Sequence, residues 1–137
     1  MWTCEKSIDI AATPERIWNL FRDVAGWPRW NNGIEQIEIH GPFADGTTFT
    51  MKVPDADSFT SVLLEVRENA SFVDETIIDG TRVVVRHEIS AMPSGNVRVT
   101  YGTEITGPNA DEFGPVVTGD FEDVLKALKS LAEGEPS

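Results

Sequence analysis

Apolar residues recur every three or four positions near both ends of the chain and every second position between them, and this change of period divides it into elements. Over Phe113 to Leu131, the residues Phe113, Val117, Phe121, Val124, Leu125, Leu128 and Leu131 form one apolar stripe. Asp120, Glu122, Asp123, Lys126, Lys129 and Ser130 give the other face to water. Seven such side chains at about 2 kcal/mol each represent roughly 14 kcal/mol of gross burial, an upper bound that requires a partner surface. Gly114, Pro115, Thr118 and Gly119 are poor helix formers, so the spacing predicts a firm C-terminal half and a looser N-terminal half.

At the other end, Trp2 to Ile10 alternates as a strand, with Trp2, Cys4, Ile8 and Ile10 on one face and Lys6 the exception. Thr13 caps a helix with Pro14 in its first turn; Ile17, Leu20, Phe21 and Val24 make its apolar stripe, and it ends near Asp23. A further helical turn is expected from Pro28, stopping at Asn31, Asn32 and Gly33. From Ile34 the period is two. Strands are predicted at Ile34–His40, Thr47–Val53, Ser58–Glu68, Ser71–Ile78, Thr81–Met92 and Asn96–Thr106. On the third of these, Thr60, Val62, Leu64 and Val66 are expected to share the inner face. Turns fall at Gly41–Gly46, Pro54–Asp57, Asn69, Asp79-Gly80 and Pro93–Gly95; Asp79-Gly80 is a two-residue hairpin signal. Short connections imply antiparallel neighbours, and the order is α+β: one strand, two short helices, six strands, one long helix. A sheet with one apolar face must curl around something, and the terminal helix is long enough to fill the hollow.

With 137 residues, 40% of them hydrophobic, the chain fits one domain spanning 1–137 with a real core. The net charge of −12 and a pI near 4.4 argue against nucleic-acid and anionic-membrane partners, which are recognised through clustered Lys and Arg. Cys4 stands alone, so no intramolecular disulfide forms and a small buried thiol is expected. Nothing resembles a signal peptide and no run of about 18 apolar residues occurs, so a soluble, cytoplasmic protein without stable membrane insertion is expected. Gly134 to Ser137 reads as a frayed tail. No Gly-rich phosphate loop, His-x-x-x-His pair, Cys/His cluster or nucleophile elbow is present, so no metal or cofactor is expected.

Thr13-Pro14-Glu15-Arg16-Ile17-Trp18 opening the first helix, with Trp27-Pro28-Arg29-Trp30 after it, resembles the polyketide cyclase/dehydrase and lipid-transport family of the START-like superfamily. The similarity runs over nearly the whole chain. It implies a helix-grip fold: a seven-stranded antiparallel sheet curled around the long C-terminal helix, two short helices at one end, and an apolar cavity between sheet and helix. Members bind lipids, sterols, polyketides or plant hormones; others assist chaperones or are catalytic.

Counting by twos along Thr81 to Met92 sends His87 inward with Val83, Val85 and Ile89; on the next strand Tyr101 shares the inner face with Val97, Val99, Thr103 and Ile105. An imidazole and a phenol side by side could orient a ligand carbonyl or hydroxyl, and the imidazole could act as a general base. The plainer reading makes both satisfied core polar groups. Trp27 and Trp30 are candidates for the pocket entrance or for packing that pins the bend. Phe49, Met51, Val62, Leu64, Phe113, Val117 and Phe121 complete the expected lining, and are simply core if no cavity exists. The carboxylates, Glu65, Glu88 and Glu104 among them, are read as a solvated surface, and His40 as a surface residue.

Three functions follow. The first is binding of an apolar small molecule oriented by His87 or Tyr101. The second is an aldol-type cyclisation or dehydration with His87 as base and Tyr101 steadying an oxyanion; His87→Leu would then stop turnover and spare binding. The third is a chaperone-assisting interaction module with a filled interior and an acidic face for a basic partner. An exposed strand edge could pair with its copy, so monomer and homodimer both stand.

Overall fold

The computed structural model describes residues 1–31, 34–54 and 57–134. Asn32, Gly33, the middle of the Pro54–Asp57 turn and the end of the predicted tail lie outside the described residues. Seven strands form one antiparallel sheet: β1 (Trp2–Ile10), β2 (Gln36–Ile39), β3 (Thr48–Lys52), β4 (Phe59–Arg67), β5 (Ser71–Ile78), β6 (Thr81–Ala91) and β7 (Val97–Thr106). Their order, β1-β7-β6-β5-β4-β3-β2, is a meander whose last strand is flanked by the first. Asp79 and Gly80 take the left-handed conformation (φ 51° and 78°) that a two-residue hairpin between β5 and β6 demands.

Helix α1 (Pro14–Arg22) begins where the sequence expects: Thr13 Oγ1 accepts from Arg16 N at 3.2 Å, and the helix buries Ile17, Trp18, Leu20 and Phe21. The turn after it is a 3₁₀ helix over Val24–Arg29, starting four residues before the Pro28 expected to open it. Val24 and Trp27 already face the core there, and Pro28, which gives up only its own N–H, is accommodated inside. The C-terminal helix is built in two segments, α2 (Ala110–Thr118) and α3 (Phe121–Gly134), with the interruption at Gly119-Asp120. Gly119 keeps right-handed helical angles and Val124 N donates to Asp120 O at 2.9 Å, so the second segment follows closely on the first.

Where this helix sits decides where space is left. Both segments lie over β1, and α2 also over β7. Gly114 is pressed against Trp2 so closely that a methyl group there would clash with the indole ring. Lys129 Nζ donates to Asp9 O at 3.2 Å, Ala11 N to Glu133 Oε2 at 2.8 Å and Arg16 Nη2 to Leu131 O at 3.3 Å, which ties the end of α3 to the β1–α1 corner. At the opposite edge the 3₁₀ helix packs on β2. The main core gathers Ile10, Phe21, Phe49, Leu63, Phe72, Val99 and Leu128 between these covers. The middle of the concave sheet, from β3 to β7, is left incompletely filled.

One strand runs in the opposite phase to the reading from sequence. On β4 it is Ser61 and Leu63 that are buried, while Leu64 is 40% exposed and Val62 half-buried; neither Val62 nor Leu64 faces the interior. A bulge between Leu63 and Glu65 then shifts the register by one residue, so that Val66, opposite Phe72, packs on the core as expected.

Candidate functional site

A cavity of about 710 Å³ occupies the unfilled middle of the sheet. Its floor comes from β3 to β7, its roof from α2 and α3, and one end from Trp27, Trp30 and Ile34. Of the side chains singled out from sequence, Trp27, Trp30, Phe49, Met51, His87, Tyr101, Phe113, Val117 and Phe121 are in its wall; Val62 and Leu64 are not. Trp27 and Trp30 are buried rather than set at an entrance, and Trp27 Nε1 donates to Phe21 O at 2.8 Å, pinning the bend. Trp30 Nε1 is buried without a hydrogen-bond partner. The exposed rim is made by Pro54, Asp57, Ser58 and Val116, the last 78% exposed. The interior is therefore not the filled core that the interaction-module reading required.

Cross-strand register builds the polar end of the cavity. Phe72, His87 and Tyr101 are successive partners across β5, β6 and β7. The Phe72 and His87 rings stack at 3.9 Å and 7°, His87 meets Tyr101 edge-on at 4.6 Å, and Tyr101 meets Phe121 edge-on at 5.5 Å. His87 Nδ1 lies 3.3 Å from Phe72 O. A carbonyl can only accept, so Nδ1 carries the proton and Nε2 keeps a lone pair. Burial depresses the imidazole to about 3, against a smaller opposing effect of the Phe72 hydrogen bond, so the ring is neutral around pH 7. Burial pushes the Tyr101 phenol up, reinforced by Asp74 and Asp120, and keeps its proton on.

Besides Asp57 on the rim, sequence reasoning missed two carboxyl groups in this wall. Asp74 alternates with Phe72 and Thr76 on the inner face of β5 and is only 9% exposed. Its Oδ2 lies 4.0 Å from His87 Nδ1, too long for a hydrogen bond, and burial raises it to about 7. With the imidazole neutral, the pair is not an ion pair. Asp120, read from sequence as part of the wet face of the helix, is solvent-exposed yet lines the cavity where α2 passes into α3; partial desolvation raises its carboxyl. The signal for Asp74 was present in the alternation Phe72-x-Asp74-x-Thr76-x-Ile78. Ser61 and Thr76, also in the wall, satisfy each other through their hydroxyls.

Among the described residues no Lys or Arg lines the cavity, no group of His, Cys, Asp and Glu is placed to hold a metal ion, and no helix is long and apolar enough to cross a membrane.

A family model described as polyketide cyclase / dehydrase and lipid transport matches residues 1–133. Among curated proteins none shows significant similarity to the sequence. A START superfamily protein from Mycobacterium smegmatis superposes with a TM-score of 0.75 at 18% identity, covering 95% of this chain and 96% of that one. Norcoclaurine synthase from Thalictrum flavum, in complex with dopamine and hydroxybenzaldehyde, gives 0.79 at 16% identity over 99% and 88%. The Aha1 dimer from Colwellia psychrerythraea gives 0.75 at 16% identity over 97% and 97%. At these identities the likeness is one of fold.

Proposed function

We propose that this chain, which belongs to the polyketide cyclase / dehydrase and lipid transport family, binds an apolar small molecule between its sheet and its C-terminal helix. The observation that carries the reading is the cavity of about 710 Å³, within the range of small-molecule pockets and walled mainly by apolar side chains with a few converging polar groups. Phe49, Met51, Phe113, Val117 and Phe121 hold the apolar body, Trp27 and Trp30 close one end, and His87 Nε2 and the Tyr101 hydroxyl offer an acceptor and a donor.

The test is a titration of lipid-stripped protein with the neutral probe N-phenyl-1-naphthylamine, following probe emission and tryptophan emission together. Saturable one-to-one binding is expected, with the tryptophan signal changing because Trp27 and Trp30 line the wall. Thr76→Trp, which puts an indole into the cavity, should abolish it while circular dichroism stays unchanged. Absence of binding by folded wild type, or equal binding by the two proteins, overturns the reading.

Asp74 favours a second reading, an enzyme of the cyclisation or dehydration type. The base foreseen from sequence, His87, is too weakly basic at about 3 to abstract a proton near neutral pH. A carboxyl titrating near 7 beside a phenol that keeps its proton is better matched to that task. In this reading Asp74 removes the proton next to a ligand carbonyl and Tyr101 donates to the oxygen as it gains charge.

A further inference from the structure

Three carboxyl groups line the cavity and no described cation faces them, which bears on what the ligand must bring. Asp57 stands on the exposed rim and Asp120 on the roof. Asp74 is on the floor, nine-tenths buried and without a hydrogen bond from any described donor. His87 Nδ1, 4.0 Å away, spends its proton on the Phe72 carbonyl. A carboxyl group this deep normally has its oxygens satisfied by backbone N–H groups, hydroxyls or a guanidinium; here they are left to the cavity. The aromatic walls add to the pattern, since Trp27, Trp30 and Phe72 present π systems that attract cations as well as apolar groups.

Resting on the binding reading above, we infer that the ligand is an apolar, aryl-bearing molecule carrying a protonated amine, with the ammonium group seated between Asp74 on β5 and Asp120 at the α2–α3 junction. The ammonium supplies the donors that Asp74 lacks. Both carboxyl groups share the cavity lining with Tyr101, and both reinforce the upward push that burial gives its phenol. A fatty acid, phosphate ester or other anionic head group would bring its own negative charge into this field, with no lysine or arginine in the described wall to receive it.

A charge series on one apolar body tests this: 2-(1-naphthyl)ethylamine, 2-(1-naphthyl)ethanol and 1-naphthylacetate, titrated calorimetrically into stripped protein at about pH 8. The amine is expected to bind about tenfold or more tighter than the alcohol, the scale of a charge-assisted hydrogen bond, with the acid weakest. Asp74→Asn should reduce the amine preference to about twofold or less while the alcohol still binds; Asp120→Asn should reduce it by a smaller factor because that carboxyl is better solvated. Alcohol binding as tightly as the amine in wild type overturns the inference and leaves the binding reading standing. An amine preference that survives both substitutions overturns the seat assigned to the ammonium. No binding of any of the three overturns both readings together.

Discussion

At the scale of single residues the informative pair is Asp74 and His87, because burial moves them in opposite directions. Asp74 is raised from 3.8 to about 7, so its contribution to stability is fully present below 3.8 and is lost as pH rises through 7. His87 is lowered from 6.5 to about 3, so its contribution is present above 6.5 and is lost as pH falls toward 3. Between about 4 and 6.5 the two slopes oppose one another and the wild-type protein should be nearly flat. Asp74→Asn keeps the shape of the neutral acid and removes one slope. At about 1.4 kcal/mol per unit, that variant is expected to be more stable than wild type by roughly 2 to 4 kcal/mol at pH 8, the gain vanishing near pH 4. Urea unfolding at a series of pH values measures it. A variant less stable than wild type at pH 8 would mean that the ionised carboxylate has a favourable partner in the folded protein. Asp74 escaped the sequence reading because Asp is rarely buried and 23 acidic residues made a solvated surface the natural assignment. Only its phase with Phe72 set it apart.

Elements were legible where period and punctuation agreed. β5, its hairpin and the start of α1 stand at the expected residues because Asp79-Gly80 and Thr13-Pro14 each admit few backbone conformations. β4 was legible as a strand but not in its facing. Phe59-Thr60-Ser61-Val62-Leu63-Leu64 offers apolar residues to both faces, and the bulge after Leu63 restores the expected phase at Val66 by a step that alternation cannot reveal. The inner face is set instead by pairing, with Ser61 opposite Thr76 and Leu63 opposite Asp74. The adjacent leucines give a direct check. Leu63→Ala empties a fully buried position and should cost roughly 2 to 5 kcal/mol. Leu64→Ala, at a position 40% exposed, should cost well under half as much. Chemical denaturation of the two variants decides the phase, and equal losses would place both side chains in the core. The break at Gly119-Asp120 shows the same limit in a helix. Period carried the apolar stripe from Phe113 to Leu131, and the weak formers flagged a soft stretch, but not that Asp120 there would line the cavity.

Over the whole molecule the governing quantity is an excess of twelve negative charges on 137 residues. Most of the eleven basic residues already have acidic partners, including Arg29 with Asp23, Lys52 with Glu35, Arg86 with Glu104, Arg98 with Asp9 and Lys126 with Glu122. These contacts span 2.8 to 3.2 Å, well inside the roughly 10 Å Debye length at 0.1 M salt, so added salt weakens them little, and as exposed pairs they contribute little to begin with. Repulsion among the surplus carboxylates is summed over the whole surface rather than made at contact, and screening acts most on such longer-range terms. Repulsion among the surplus is therefore the interaction that salt removes most completely, and relieving it favours the compact state. Raising sodium chloride from about 0.01 to 0.3 M at pH 8 should increase the urea midpoint of the ligand-free protein, with most of the rise complete by about 0.1 M, as the Debye length falls from roughly 30 to 10 Å. Chloride is the suitable anion because it avoids the surface exclusion that makes sulfate stabilising in its own right. A midpoint that falls with salt would show that attraction within the pairs outweighs repulsion among the surplus. The same screening separates the charges of the surface from those of the cavity. Asp74 is shielded from solvent ions, so an amine preference seated on it should weaken far less between those salt concentrations than any association made by the outer acidic face.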